Sequence, residues 1–385
     1  MNRRLIYILL IFPLLLDSCV LNETPDNIPI PAYRTVLFYL MGSGNFSEEI
    51  QPRLDALQEM WSNELGLGGH LLVYTGGNSD HSPRLMEMVE DNLTGEVSVK
   101  VLCEYEGSNS ASSETFSRVI NDMYTFYPSQ DYGLVLFSCG SGWLPAENLE
   151  FPRRRRSVVE TRNLISDGEK SFELRDFAFA IPDGQFSFIV FESGFMAGLE
   201  VAYELRNKTD YLIASSTEIP DPGFLPVYGE MLPELFRAYP YYKKAAKAYF
   251  DYYNQLSGDL CSATISVINT SKLGLLKQIL NNAESRVTDW EEIERGYLQS
   301  FDRRKNGHLF YDLQNYIDLI GNEEERTAFA DSLGQAVVYK SATKHFLSES
   351  EGGFDITSHC GLTIYIPDVH YPYLNGQRQL LRLFQ

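Results

Sequence analysis

Two segments of this chain end apolar runs on small residues and place candidate chemistry there. Tyr132–Pro145 reads Y-G-L-V-L-F-S-C-G-S-G-W-L-P, and Phe186–Leu205 reads F-S-F-I-V-F-E-S-G-F-M-A-G-L-E-V-A-Y-E-L. The runs have the composition of buried strands, and catalytic groups of α/β proteins collect where such strands end. The reactive side chain in the first segment is the thiol of Cys139. A thiol becomes a nucleophile as the thiolate, which needs a base nearby. The histidines are His70, His81, His308, His345, His359 and His370. His359 adjoins Cys360 and His81 follows an early strand, but no motif assigns either of them to Cys139. A buried, unactivated thiol is the plain alternative. The chain has no G-x-x-x-x-G-K-[ST], G-x-G-x-x-G or H-E-x-x-H motif, and its cysteines lack zinc-ligand spacing. No cofactor and no metal are expected.

The elements around these segments alternate. Strand-like runs fall at Thr35–Met41, His70–Tyr74, Ser98–Cys103, Gly133–Ser138, Phe186–Glu192 and Tyr211–Ser215. Helical patterns cover Ser47–Leu65, Ser113–Tyr127, Phe172–Ile181 and Met196–Arg206. Apolar strands separated by helices imply a mostly parallel sheet covered on both faces, a three-layer α/β/α sandwich. Beyond Leu225 the pattern turns helical and tyrosine-rich, with a strand at Thr264–Asn269. Long helices are expected over Ser271–Leu298 and Glu323–Ser341, and a late strand at Leu362–Ile366 is expected to rejoin the sheet.

The two segments resemble the signature segments of the clostripain family of cysteine peptidases. There the first strand ends S-H-G-S-G-W, with the catalytic histidine, and the second ends D-A-C-L-M-G, with the nucleophilic cysteine. Further likeness lies in T-V-L-F-Y-L-M-G-S-G-N-F, in Thr217–Gly223 and in Gly361–Pro367, so it spans about Thr35 to Pro367. The resemblance implies a caspase-like fold. It places Cys139 at the family histidine and Gly194 at the family cysteine, so neither member of the dyad is present.

Other family features have counterparts. Gly140 follows the histidine position, where its N–H would serve an oxyanion hole. Glu192 stands at the family aspartate that helps form an acidic pocket for a basic side chain, and Glu218 and Asp221 would add to it. Arg153, Arg154, Arg155 and Arg156 lie where the family carries a loop that is cut after a basic residue. They read as an uncut plug, a site for another protease, or a solvated loop. The resemblance thus implies a pseudopeptidase that binds peptide segments rich in arginine or lysine. The rivals are an altered hydrolase using Cys139 and an interaction module docking through the tyrosine-rich Pro240–Tyr253 region.

The N-terminus carries targeting information. Arg3 and Arg4 precede the apolar run Leu5–Leu16, too short for a stable membrane span, and Leu16-Asp17-Ser18-Cys19 resembles a bacterial lipobox. The expected organisation is a signal peptide at 1–18, lipidated Cys19 and a linker at 19–33, and a peptidase-like domain at 34–385 with a helix-rich insertion at roughly 225–350. The lipid would hold the domain to a membrane of the bacterial cell envelope, on the periplasmic or outer side. A net charge of −20 argues against nucleic-acid binding, and 44% hydrophobic residues suffice for a large core.

Overall fold

Nine strands form one sheet because most of them are apolar on both faces. The structure, a computed structural model, describes residues 32–41, 47–77, 81–138, 140–145, 161–162, 166–167, 170–237, 241–304 and 307–385. All of these lie in one compact unit, Pro31–Gln385. The strands are β1 (Ala32–Leu40), β2 (His70–Thr75), β3 (Arg84–Glu90), β4 (Val97–Glu104), β5 (Ser129–Phe137), β6 (Phe186–Glu192), β7 (Thr209–Ala214), β8 (Thr264–Asn269) and β9 (Val337–Ala342). Their order across the sheet is β9-β8-β7-β6-β5-β1-β2-β3-β4. The five strands from β7 to β2 run parallel, and each edge adds two antiparallel strands.

Alternation along β1 shows how the faces divide. Leu37, Tyr39 and Met41 enter one core cluster, while Val36, Phe38 and Leu40 enter the other. The first face is covered by α2 (Ser113–Phe126), α3 (Leu174–Ala180), α4 (Leu199–Glu204), α7 (Leu273–Glu284), α8 (Leu313–Ile320) and α9 (Glu323–Ala336). The second is covered by α1 (Ser47–Met60), α5 (Tyr228–Phe236) and α6 (Tyr242–Asn254). Local chemistry sets the helix starts. Ser112 caps α2 through Thr115 N–H, and Phe116, Val119, Ile120 and Met123 then recur at helical spacing toward the core. Asn322 and Glu325 form a full capping box at α9.

Three expectations change. The helix expected over Ser271–Leu298 ends at Glu284. The helix expected to Ser341 ends at Ala336, and the β-branched stretch after it becomes edge strand β9. The 225–350 segment therefore supplies two strands of the sheet as well as helices. The late strand shortens to Thr363–Ile364 and pairs with Tyr311–Asp312, with a bridge to Gly198, outside the nine-stranded sheet. The main stripe of the tyrosine-rich helix α6 is a packing face. Tyr242, Tyr249 and Tyr253 are buried, and the Tyr253 hydroxyl donates to the carbonyls of Pro220 (3.1 Å) and Gly223 (2.9 Å).

Candidate functional site

The carboxyl ends of β5 and β6 arrive together. The two strands are parallel neighbours with Phe137 opposite Glu192, so the chain leaves both at one level. Just beyond, the Ser138 and Ser193 hydroxyls lie 2.8 Å apart in the interior. Gly140 then abuts Gly194 so closely that a Cβ on it would sit 2.3 Å from the Gly194 oxygen and 2.8 Å from its nitrogen. Only glycine permits that approach. Gly140 and Gly194, picked out far apart in the sequence, are thus in contact. Cys139, Cys19 and Arg153–Arg156 lie outside the described residues.

The wall beside Gly194 is aromatic. Phe195 has φ +63°, a left-handed conformation uncommon for a bulky residue. Its N–H donates to the Thr217 carbonyl at 3.0 Å, tying the end of β6 to the turn after β7. Its ring stacks on Phe310, with centroids 4.5 Å apart and planes at 9°. Gly142, at φ +64°, closes over both, and a Cβ there would meet the Phe195 oxygen and the Phe310 ring at 2.9 Å. Phe310 is held by Asp302, a fully buried carboxylate that accepts from the N–H groups of Arg304, Leu309 and Phe310 and from His308.

The acidic residues are arranged differently from the expectation. Glu192 has no exposed surface, and the guanidinium of Arg53 donates to it at 2.6 Å. It also accepts from the Phe224 N–H at 3.0 Å and the Tyr228 hydroxyl at 2.6 Å. The guanidinium carbon of Arg53 sits over the Phe137 ring, 3.9 Å from its centroid, and the group donates onward to the carbonyls of Glu49 and Pro222. Burial alone would weaken its hold on the proton, but the Glu192 charge and then Tyr228 more than offset this, so the guanidinium stays charged. Glu218 is 3% exposed and takes two parallel hydrogen bonds from Arg303, at 2.7 and 3.0 Å. Neither carboxylate stands open as the floor of a pocket for a basic side chain, because each already holds an internal arginine. Asp221 is the exposed acid of the three.

Sequence reasoning missed both arginines. Arg53 left a signal, a charge inside the α1 stripe Ile50-Leu54-Leu57 where a helix normally presents apolar groups. Arg303 left none, since its partner is 85 positions away. Among the described residues the remaining nucleophile candidates do not assemble. His359 bonds through Nε2 to the Ser216 hydroxyl at 3.1 Å, and burial pushes its pKa down to about 3. Ser216 has no exposed surface, so this pair braces the end of β7 rather than meeting a substrate. The neighbouring Cys360 thiol points elsewhere, donating to the Leu362 carbonyl, and burial keeps it protonated. Cys103, Cys261 and Cys360 are free thiols, of which only Cys360 is fully buried. Among the described residues no three His, Cys, Asp or Glu side chains converge as metal ligands.

A largely parallel sheet between helical layers, with its site at the carboxyl edge of adjacent strands, is the architecture of caspase-like cysteine peptidases. A profile of the clostripain family matches residues 39–379, and the chain belongs to that family. Its fold is similar to an inactive zymogen of a C11 protease from Parabacteroides distasonis, at 29% identity and TM-score 0.78, covering 93% of this chain and 98% of that one. It is also similar to a secreted C11 cysteine protease from Bacteroides thetaiotaomicron, at 23% identity and TM-score 0.79, covering 92% and 99%. The same kind of protein bound to an irreversible peptide inhibitor aligns at 24% identity and TM-score 0.74, covering 92% and 98%. No curated protein matches the chain.

Proposed function

We propose that this chain is a clostripain-family protein that retains the peptidase scaffold without its cleavage chemistry and works by holding peptide at the carboxyl edge of the sheet. The observation that carries this reading is Gly194. It lies against Gly140 at the meeting of the two strand ends and offers no side chain to attack a carbonyl. Cysteine at position 139 is a poor substitute for the imidazole that would deprotonate a thiol and later protonate the leaving amine. The secreted relative and the Leu16–Cys19 lipobox support a place outside the cytoplasm, with Cys19 carrying the lipid. Among the described residues no helix is long and apolar enough to cross a membrane.

The test is turnover of a panel of fluorogenic peptides with neutral, arginine or lysine side chains before the reporter, run on the wild type beside Cys139→His with Gly194→Cys. A silent wild type and an active double variant are expected. Thiol-dependent turnover by the wild type, lost in Cys139→Ala, would overturn the reading and make Cys139 the nucleophile.

A further inference from the structure

Glu218 belongs to the rim of this site. It follows Thr217, whose carbonyl receives the N–H of Phe195, the residue after Gly194. Its carboxylate is nearly buried, and the Arg303 fork meets it with Nε on one oxygen (2.7 Å) and Nη2 on the other (3.0 Å). That is the geometry with which any arginine side chain recognises a carboxylate. Arg303 is itself only 10% exposed and donates through Nη1 to the Glu351 carbonyl at 2.9 Å. Its backbone is placed in advance. Asp302, beside it, gathers the N–H groups of Arg304, Leu309 and Phe310, and the Phe310 ring is stacked on Phe195.

We propose that Arg303 is the residue that sets ligand specificity at this edge, as a tethered guanidinium that occupies Glu218 and excludes arginine and lysine side chains arriving from outside. The inference rests on the reading of the edge as a peptide-holding site. Its physical basis is competition. A group held on a short link has an effective concentration on the order of millimolar or above, and a free guanidine has to displace it. The apparent affinity of an outside ligand falls in proportion to the occupied fraction. The Glu192–Arg53 pair closes the second carboxylate in the same way, from deeper in the core. The wild-type edge therefore favours peptide segments with neutral side chains at this position, and basic segments gain access when the fork is removed.

Calorimetric titration of the full chain with benzamidine and with N-acetyl-arginine amide tests this. The wild type is expected to give no saturation over the range in which Arg303→Met saturates, a gain of at least tenfold. Adding Glu218→Gln to Arg303→Met should abolish the gain. Should Arg303→Met lose its near-ultraviolet circular dichroism, Arg303→Lys, which keeps the charge but loses the fork, is expected to show a smaller gain. Equal binding by wild type and variant, or a gain that survives Glu218→Gln, would overturn the proposal. A fluorogenic arginine peptide in the same samples separates it from the proposed function. Binding with cleavage would refute only the loss of chemistry, and neither binding nor cleavage would refute only the role of Arg303.

Discussion

At the scale of single residues, charge placement distinguishes this site from an open acidic pocket. The Arg53–Glu192 pair lies in the core beneath the strand ends, where removing one partner leaves an unpaired charge away from water. Arg53→Ala is expected to destabilise the protein by about 3–5 kcal/mol, the usual cost of breaking such a pair. Combining it with Glu192→Gln should recover a good part of that loss, because the orphaned charge disappears. The check is the urea midpoint of the two single variants and the double. Additive losses would mean that the two groups do not stabilise each other. The acid at position 192 was legible from the sequence, whereas its partner required the fold, since 139 residues separate them.

At the scale of elements, the parallel core was legible, as were β4 and β8, whereas β3 and β9 were not. Runs such as Val36–Leu40 and Phe188–Phe191 are apolar on both faces, which is a strong local signal. Strand β3 reads R-L-M-E-M-V-E and β9 reads V-V-Y-K-S-A, half polar, and both gain their strand character from a neighbour. The contact of Gly140 with Gly194 was legible only through family resemblance, because strand pairing is not written in either segment. Glu200 on α4 is another group whose role comes from packing. Its carboxyl accepts the Tyr365 N–H at 2.8 Å and so ties α4 to the segment after Thr363–Ile364. Burial raises its pKa from 4.5 to about 7 despite that bond. A raised carboxyl means that the folded protein binds more protons than the unfolded chain between those values, so stability falls as pH climbs from about 4.5 to about 7. The full loss is on the order of 3 kcal/mol at 1.36 kcal/mol per unit. His308, raised by Asp302, also contributes stability that is lost as pH rises, but through a folded pKa above 6.5. Glu200→Gln should therefore flatten the wild-type decline between pH 5 and 7 without removing the His308 contribution. Parallel pH profiles of the two thermal midpoints would show that Glu200 does not titrate in that window.

At the scale of the whole molecule, the sheet is buried over its middle, and among the described residues no further strand pairs with β4. Along β4, Val99 and Val101 are 38% and 45% exposed, an apolar pair on the outermost strand of the sheet. An edge of this kind templates pairing with another chain unless something blunts it. Lys100 lies between them on the opposite face of the strand, opposite Glu87 in the register with its ammonium 3.8 Å from that carboxylate, and sets a charge on the edge. The second guard is global, a net charge of −20 that keeps copies apart until salt screens it. At about 0.1 M salt the screening length is roughly 10 Å, so the long-range guard weakens while the local one persists. Lys100→Val removes the local guard alone. The variant is expected to remain monomeric at low salt and to associate with rising concentration at high salt, while the wild type stays monomeric in both. Light scattering across a salt and concentration series decides it. A variant that stays monodisperse at high salt would show that the β4 edge is protected by its twist and short length rather than by its lysine.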